Sequence, residues 1–592
     1  MTWEMGFVLF VLILMMVGLI FELARPDMIV FISLTMFLLT GILTPDEALK
    51  GFSNQGMLTI ALLFIIAGAI QKSGIVDRLT SKLIGESYSP RLSMLKMLVP
   101  ISGFSAILNN TPIVVTFTPL IRKWCEERGL SPSKFLIPLS YATILGGTLT
   151  LLGTSTNLVV HGLMLDFGMK GFSLFQLGIV GGPAVIIGLA YIILIGHYIL
   201  PNNKVLTDTV KEQTREYLAE MTVEESYESI NQSVKNAGLR KLKGLYLIEI
   251  IRNNERISPV KGSTKIYTGD RLIFTGLIST IAELQKVKGL TLYTGTDLNL
   301  DTLKNGNVQL VEAVVSHQSG LLYKKIKDTE FRSRFDSAVI AVHRNNERVK
   351  SKIGEITLRA GDTLLLICGP DFEQRVREST EFYVTTPLEK PSILEDQNKG
   401  WIALVTLFSM IALVTFSVLS MFNAMALTVV ILILAKVVTP EEAKRSIQFN
   451  VLLLIASAFG IGMAILKTGT AEWIANGLVQ VGRPFGIVAV LVLIYLLTNI
   501  FTEVITNSAA AVMMFPIGME VADKMNVDPM AFAVLVAIAA SASFITPIGY
   551  QTNLIVYGPG GYKFTDYMKI GIPLSLIVMS ITVFMVNLVY IN

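Results

Sequence analysis

The chain has 592 residues, of which 52% are hydrophobic and 16% are charged, and its formal net charge is +4. This composition excludes an ordinary soluble enzyme, and so small a positive charge gives no indication of nucleic acid as a partner. Its two cysteines and four histidines are scattered and predict neither a disulfide framework nor a metal cluster. No cofactor and no catalytic residue is indicated. The class that remains is a polytopic membrane protein.

Charged residues are concentrated in the middle of the chain. Residues 201–400 hold 56 of the 94 Asp, Glu, Lys and Arg residues. This predicts a water-soluble insert between two membrane halves. We place the first membrane repeat at 1–201, two small insert domains at 202–295 and 296–398, and the second membrane repeat at 399–592.

Each half contains apolar stretches that are long enough for membrane-spanning helices, which need roughly 20 residues. The first run, from Phe7 to Phe21, has no basic flank and no cleavage site, so we interpret it as a retained span. In each half, three spans precede a polar-interrupted segment, a span broken by Gly and Asn, and a closing span. The predicted spans are about 5–24, 27–43, 57–71 and 174–200, then about 401–419, 421–438, 449–466 and 570–591.

The two halves repeat each other in sequence. Four short patterns of the first half recur in the same order at nearly constant offsets of 395 to 397 residues. The paired patterns are TPDEA (Thr44–Ala48) with TPEEA (Thr439–Ala443), QKSG (Gln71–Gly74) with LKTG (Leu466–Gly469), Asn110 and Pro119 with Asn507 and Pro516, and GTSTNLVVHG (Gly153–Gly162) with GYQTNLIVYG (Gly549–Gly558).

An uncharged stretch from Leu98 to Leu120 has the length of a span but carries Asn109, Asn110 and Thr111 at its centre. We interpret it, and its counterpart around Asn507, as re-entrant helical hairpins; the alternative is a straight span with a polar kink. If the hairpins do not cross, each repeat has five spans. Five is an odd number, so the two repeats have opposite orientations.

Basic residues test this orientation, because cytoplasmic loops are enriched in Lys and Arg. Two loops of the first half are basic, and their counterparts in the second half are not. The basic residues are Lys72, Arg78, Lys82, Arg91, Arg122, Lys123, Arg128 and Lys134. We therefore expect a multi-pass protein of the cell (inner) membrane, with a cytoplasmic insert and both termini outside.

The insert contains a smaller repeat. RNNER occurs at Arg252–Arg256 and Arg344–Arg348, and GDRLIFTG (Gly269–Gly276) corresponds to GDTLLLICG (Gly361–Gly369) at the same offset of 92 residues. Short β-type runs surround these patterns and predict two copies of one α+β domain. They resemble TrkA-C (RCK-C) domains of potassium transport systems. The resemblance implies a regulatory small ligand such as a nucleotide; the alternative is a structural or dimerising module.

Four interrupted segments carry the candidate chemistry: Ser105–Pro112, Thr502–Ala509, Leu152–Asn157 and Ile548–Asn553. Irregular backbone at membrane depth is tolerated where protein or a water-filled cavity surrounds it, and duplicated units with such breaks are typical of secondary transporters. Helix N-termini attract anions, while Asn, Ser and Thr oxygens suit Na⁺. None of the four segments contains Lys or Arg. The pattern therefore indicates an anion that is carried together with sodium.

Both membrane halves resemble the divalent anion:sodium symporters (DASS family) of the ion transporter superfamily. Their signatures are a Ser-Asn-Thr at each hairpin tip and a Gly-(Ser/Thr)-x-x-Asn in each broken span. Here the tips are Asn109–Thr111 and Thr506–Ser508, and the second broken span departs from the signature at Tyr550 and Gln551. The resemblance implies a homodimer in lipid that moves by an elevator mechanism.

The resemblance also implies site residues. Sodium would be coordinated by Ser105, Asn109, Asn110 and Gly153 at one site and by Thr502, Ile505, Asn507 and Gly549 at the other. Substrate contacts would come from Asn110, Thr111, Thr154, Asn507, Ser508 and Gln551. Residues next to these ligands would be Glu503, Asn157 and Asn553. For Glu503 two alternatives stay open: a proton site, or a residue that reaches water at the mouth of the hairpin.

The additional amides of Asn109 and Gln551 suit a compact oxyanion, and relatives with similar inserts include sulfate permeases. We therefore favour sulfate over succinate- or malate-like dicarboxylates as the substrate. A cation/proton antiporter or arsenite-type permease would need more buried carboxylates than Glu503 alone. A ligand-gated channel would need a selectivity filter, and no such sequence is present.

Overall fold

The computed structural model describes the chain except residues 1, 22, 73–89, 203–216, 240–244, 253–254, 258–259, 261, 277–286, 293–308, 317–318, 345–346, 350, 352, 369–370, 378, 380, 385–396 and 592. Arg78, Lys82 and the expected domain boundary between 295 and 296 lie outside the described residues. The chain divides into two compact units. One comprises residues 1–118, 133–201 and 390–592, and the other comprises residues 119–132 and 202–389.

The first unit is helical. Its helices before the insert are Trp3–Ile20, Pro26–Leu39, Pro45–Leu49, Gln55–Lys72, Pro90–Ser105, Asn110–Glu127, Leu136–Gly147, Ser155–Asp166 and Gln176–Tyr191, the last continuing through a π-helical turn to Ile199. After the insert they are Gln397–Thr415, Met421–Leu434, Pro440–Ser446, Phe449–Lys467, Thr470–Gly482, Ile487–Val504, Asn507–Met525, Pro529–Ser541, Gln551–Tyr557 and Phe564–Val586.

Several of these helices are long and apolar enough to cross a membrane. Among the described residues, five spans satisfy both criteria: Pro45–Ile70, Gln176–Ile199, Phe449–Lys467, Ile487–Val504 and Phe564–Ile591. The first of these joins helix Pro45–Leu49 to helix Gln55–Lys72 through the 3-10 turn Lys50–Ser53, and the last extends helix Phe564–Val586 by a π-helical turn. Shorter apolar helices include Trp3–Leu19 and Met421–Leu434. Large apolar side chains such as Phe10 and Ile186 are exposed on this unit, as expected for a surface that faces lipid. The unit is that of a membrane protein.

The repeated TPDEA and TPEEA patterns start short helices in the same way. The Thr44 hydroxyl accepts a hydrogen bond from Glu47 N at 3.3 Å, and the Glu47 carboxylate accepts one from Thr44 N at 2.8 Å. Thr439 and Glu442 form the same reciprocal pair at 3.3 and 2.9 Å. Such a capping box, with proline at the first helical position, satisfies backbone N–H groups that have no partner inside the helix.

The second unit contains two five-stranded antiparallel sheets with equivalent strand orders. The strands are β1 (Tyr217–Val223), β2 (Leu245–Arg252), β3 (Glu255–Ile257), β4 (Arg271–Gly276), β5 (Leu290–Leu292), β6 (Gln309–Val315), β7 (Ser337–Arg344), β8 (Glu347–Arg348), β9 (Thr363–Cys368) and β10 (Phe382–Val384). The first sheet has the order β3-β2-β4-β1-β5 and the second β8-β7-β9-β6-β10. Each sheet has its own apolar core.

The Arg and Gly-Asp patterns of the insert form ion pairs inside each sheet. Arg344 donates from Nε and Nη2 to the two Asp362 carboxylate oxygens at 2.7 and 2.8 Å. Arg252 makes the same bidentate contact with Asp270, at 2.7 Å for both bonds. Each aspartate side chain is 1% exposed, and each pair joins the end of one strand (β2 or β7) to the turn before its neighbour in the sheet (β4 or β9). These residues therefore have a structural role.

Replacing Asp362 by alanine is expected to destabilise the second sheet by about 3 kcal/mol, because it leaves Arg344 without its buried partner. Asp371→Ala is the matched control, since the Asp371 side chain is 63% exposed and pairs with Arg375 four residues away; it should cost at most about 0.5 kcal/mol. The urea dependence of proteolysis within the insert of the full-length protein measures both. The same urea dependence of proteolysis in Asp362→Ala and Asp371→Ala would contradict the structural role of the Arg344–Asp362 pair.

Candidate functional site

Two turns and two helix interruptions form the candidate site. The first tip is residues 105–111, between helices Pro90–Ser105 and Asn110–Glu127, and the second tip is residues 502–508, between helices Ile487–Val504 and Asn507–Met525. The first break (residues 148–154) separates helices Leu136–Gly147 and Ser155–Asp166. The second break (residues 542–550) separates helices Pro529–Ser541 and Gln551–Tyr557. Each break therefore precedes the start of a new helix.

At the first tip, four oxygen-bearing groups surround the Asn110 side chain. The Ser105 hydroxyl lies 2.5 Å from the Asn110 amide and donates to the Thr143 carbonyl at 2.8 Å. The carbonyl oxygens of Thr143 and Gly153 lie 3.1 and 3.2 Å from the same end of the amide. Ser105 and Asn110 are both almost fully buried. The opposite end of the Asn110 amide lies 2.7 Å from the Tyr550 hydroxyl.

Two orientations of the Asn110 amide fit these distances. With the nitrogen towards Thr143 and Gly153, Asn110 donates to both carbonyls. With the amide oxygen in that place, Asn110 Oδ1 lies close to the oxygens of Ser105, Thr143 and Gly153. Of these four oxygens, only that of the Ser105 hydroxyl carries a proton to donate. The second orientation is favourable when a cation lies between the oxygens, since backbone carbonyls at helix ends and side-chain oxygens are sodium ligands in transporters.

The second tip reproduces this arrangement 397 positions further along the chain. The Thr502 hydroxyl donates to Asn507 Oδ1 at 3.1 Å and to the Ala540 carbonyl at 2.6 Å. Thr502, Asn507 and Ala540 correspond in sequence to Ser105, Asn110 and Thr143. The same hydroxyl–amide–carbonyl cluster is therefore present in both halves.

Asn157 and Asn553 hold the two breaks in place. Asn157 Nδ2 donates to Gly147 O, the last carbonyl before the first break, at 3.0 Å and to Thr150 O within the break at 2.8 Å. Asn553 Nδ2 donates to Ser543 O and Thr546 O, both at 3.1 Å. Each amide thus satisfies carbonyls that lose their helical partners where the helix ends.

Gly153 is required by a close approach of the chain to itself. A Cβ atom at Gly153 would lie 2.5 Å from Gly147 O and 2.7 Å from Gly147 Cα, distances that side chains do not adopt. The first break can bring the Gly153 carbonyl towards Asn110 because there is no side chain at this position.

Glu503 is buried beside the second tip and binds backbone groups of the second break. Its Oε1 accepts hydrogen bonds from Phe544 N and Ile545 N, both at 2.8 Å, and its Oε2 accepts from Thr546 N at 2.8 Å and Thr546 Oγ1 at 2.9 Å. Three N–H groups that point at one carboxylate form an anion-binding nest. Glu503 is 6% exposed, so it does not reach water.

The residues expected to contact substrate belong to the tips and the first break, except Gln551, which begins the helix after the second break. The Thr111 hydroxyl donates to Gln551 Oε1 at 3.0 Å, and the Thr154 and Tyr550 hydroxyls are 3.2 Å apart. Helix Asn507–Met525, which follows the second tip, packs against helix Ser155–Asp166, which follows the first break. Ser508 is buried near its start. Among the described hydrogen bonds, the buried Thr506 Oγ1 has no partner.

Three groups of this site were not predicted from the sequence, and three predicted sodium ligands make no described hydrogen bond with the Asn110 or Asn507 amide. The three groups are the carbonyls of Thr143 and Ala540 and the hydroxyl of Tyr550. In the part of the chain that the structure describes, no hydrogen bond joins Asn109, Ile505 or Gly549 to the Asn110 or Asn507 amide; Gly549 N donates to Thr546 Oγ1 instead. The sequence did mark Tyr550 as unusual, because it replaces the Ser or Thr of the Gly-(Ser/Thr)-x-x-Asn signature.

Comparison with known proteins identifies the chain's relatives. Residues 16–537 match the family model described as citrate transporter. The chain is 34% identical over 572 residues to a Chlamydomonas reinhardtii protein named "Putative sulfur deprivation response regulator", covering 94% of this chain and 97% of that one. It is 32% identical to an uncharacterised transporter of Synechocystis, over 100% and 98% of the two chains. It is 24% identical to sodium/sulfate cotransporter 2 of Chlamydomonas reinhardtii, over 92% and 84%.

The family match covers most of the chain, and the relatives are aligned over nearly their full lengths. The family match and these relatives agree with the apolar helices of the first unit. They also agree with the sequence, in which no catalytic residue is indicated. The chain is a transport protein and not an enzyme, and it belongs to the citrate transporter family.

Proposed function

We propose that the protein is a secondary active transporter that carries a divalent anion together with sodium, and that the anion is sulfate. The observation that supports this most is the pair of equivalent clusters around Asn110 and Asn507. Each combines a buried hydroxyl, an amide and a helix-end carbonyl. Two such clusters in one membrane unit offer oxygen ligands for sodium in each half.

The anion would bind between the two clusters. Helices Asn110–Glu127, Ser155–Asp166 and Asn507–Met525 begin there, and helix N-termini carry free N–H groups and a partial positive charge. The hydroxyls of Thr111, Thr154 and Ser508 and the Gln551 amide supply further donors. The tips and breaks contain no Lys or Arg, so the positive charge that balances a divalent anion would come from the bound sodium ions.

The paired contacts also support the proposed architecture. Equivalent hydrogen bonds recur at offsets of 396 to 397 residues in both halves, as two copies of one unit would produce. We infer inverted repeats of five spans and one re-entrant hairpin each. In this arrangement both termini lie outside the cell membrane and the insert is cytoplasmic. Movement would follow the elevator mechanism in a homodimer.

The insert would be a regulatory element with two TrkA-C-like domains. Its two equivalent strand orders and paired Arg–Asp contacts support a duplicated domain. The Arg–Asp signature residues are occupied by those ion pairs, so a regulatory ligand such as a nucleotide would bind elsewhere in the insert.

Two observations bear on the choice of anion. Tyr550 and Gln551 extend from the second break to Asn110 and Thr111 and bring a hydroxyl and an amide to the site, which are hydrogen-bond donors that suit a compact oxyanion. A relative aligned over 92% of this chain and 84% of its own length is named a sodium/sulfate cotransporter. The citrate description of the family favours a carboxylate instead, so a dicarboxylate is the second candidate substrate.

Uptake into proteoliposomes tests the proposal. The purified protein should accumulate radiolabelled sulfate when an inward sodium gradient is imposed, and accumulation should stop when potassium replaces sodium. Unlabelled succinate should compete less well than unlabelled sulfate. Uptake that is indifferent to sodium would contradict symport, and stronger competition by succinate would reverse the order of substrates.

A further inference from the structure

Tyr550 occupies a distinctive position in the candidate site. It is the residue before helix Gln551–Tyr557, just as Thr154 is the residue before helix Ser155–Asp166, and the two have similar backbone angles (φ −137°, ψ 140° and φ −144°, ψ 147°). The first half thus has a short hydroxyl side chain where the second half has a long one. The longer side chain lets the Tyr550 hydroxyl reach Asn110 at 2.7 Å and Thr154 at 3.2 Å.

The direction of the Tyr550–Asn110 hydrogen bond depends on the Asn110 amide. When the amide oxygen faces Ser105, Thr143 and Gly153, Nδ2 donates to the Tyr550 oxygen. When the amide is turned over, Nδ2 faces the carbonyls and the Tyr550 hydroxyl must donate to Asn110 Oδ1. A single phenolic proton cannot serve both Asn110 and a second acceptor.

Sodium would select between these two states. A cation among the oxygens at the first tip favours the orientation in which Asn110 Oδ1 faces it, because an amide nitrogen cannot coordinate a cation there. Tyr550 then accepts from Asn110, and its own proton is available to another acceptor. Without the cation, the carbonyls favour the nitrogen, and the Tyr550 proton is held by Asn110.

We propose that Tyr550 couples sodium binding at the first tip to anion binding, by donating its hydroxyl proton to the anion only when sodium orients Asn110. This inference rests on the proposed sodium–anion symport. The 3.2 Å contact between Tyr550 and Thr154 is the long one of the pair, so an anion oxygen can replace Thr154 as the acceptor. Tyr550 is a positioning and binding residue that links the two ligands.

Removal of the hydroxyl tests the inference. Sulfate affinity should be measured by calorimetry on the purified protein with saturating sodium and with sodium replaced by potassium, for the wild type and Tyr550→Phe. The factor by which sodium strengthens sulfate binding should fall about tenfold in Tyr550→Phe, since one hydrogen bond to a charged group is lost. Sodium affinity without sulfate should change less than about threefold. Tyr191→Phe, which removes a buried hydroxyl that donates to Ile570 O, should leave the factor unchanged.

The outcomes separate this inference from the proposed function. A wild type without sodium-dependent sulfate binding contradicts the symport itself. If the wild type shows such binding and sodium strengthens sulfate binding by the same factor in Tyr550→Phe, the role of Tyr550 is overturned and the symport is not. If the variant does not fold, infrared difference spectra of the wild type decide. Sodium without sulfate should shift the C–O stretch of a tyrosine from that of a donor to that of an acceptor, and the absence of a shift overturns the inference.

Discussion

Sodium-driven sulfate uptake is expected to fall at least about 100-fold when Asn110 is replaced by alanine. The substitution removes a side chain that faces Ser105, Thr143 and Gly153 together and also contacts Tyr550. In the proposed mechanism, this one change removes both the cluster around Asn110, which would hold sodium, and its link through Tyr550 to the anion. Initial uptake rates in proteoliposomes, normalised to the protein that is incorporated, measure the effect.

The second half provides an internal comparison. Asn507→Ala removes the amide oxygen that accepts from Thr502, so it should reduce uptake to a similar extent. Asn423→Ala is the matched control, because Asn423 is an exposed residue of helix Met421–Leu434, and its uptake should equal that of the wild type. Normal uptake by both Asn110→Ala and Asn507→Ala would remove the two clusters from the mechanism.

A second large effect is expected at Glu503. Replacing it by alanine leaves three backbone N–H groups, those of residues 544 to 546, without their acceptor in a buried region. Each such group costs about 1–3 kcal/mol, and entry of water offsets part of the cost, so we expect a loss of about 3 kcal/mol in stability together with loss of transport. Thermal unfolding in detergent measures the stability.

Two further variants sharpen this test. Glu503→Gln keeps an acceptor oxygen for the N–H groups of residues 544 and 545 but turns an NH₂ group towards Thr546 N, so it should restore stability only in part. Glu472→Ala is the control, since Glu472 is 58% exposed in its pair with Lys524 and should cost less than about 1 kcal/mol. A Glu503→Ala protein as stable as the wild type would contradict the view that Glu503 holds the second break in place.

Patterns that depend on local sequence could be predicted. The TPDEA and TPEEA segments cap the helices that they begin. The Thr and Glu side chains at that spacing accept hydrogen bonds from backbone N–H groups at the start of the helix, and no distant residue is needed. The asparagines of the two tips could be found because each repeats with a hydroxyl residue five positions before it, Ser105 for Asn110 and Thr502 for Asn507.

Contacts that depend on tertiary structure could not be predicted. The Thr143 and Ala540 carbonyls of the two clusters carry no side-chain signal, because any residue near the end of a helix presents the same oxygen. The reach of Tyr550 to Asn110 joins residues 440 positions apart and was evident only as a departure from a signature. Glu503 could not be assigned from sequence, because its role depends on the backbone direction of the second break.

Direct binding of sodium tests the central claim that the asparagine clusters are sodium sites. Equilibrium dialysis of the purified protein with radiolabelled sodium and saturating sulfate should show bound sodium in the wild type. Asn110→Ala and Asn507→Ala should each lose one site, and the double variant should lose both. Full sodium binding by the double variant, with the protein folded, would contradict the account.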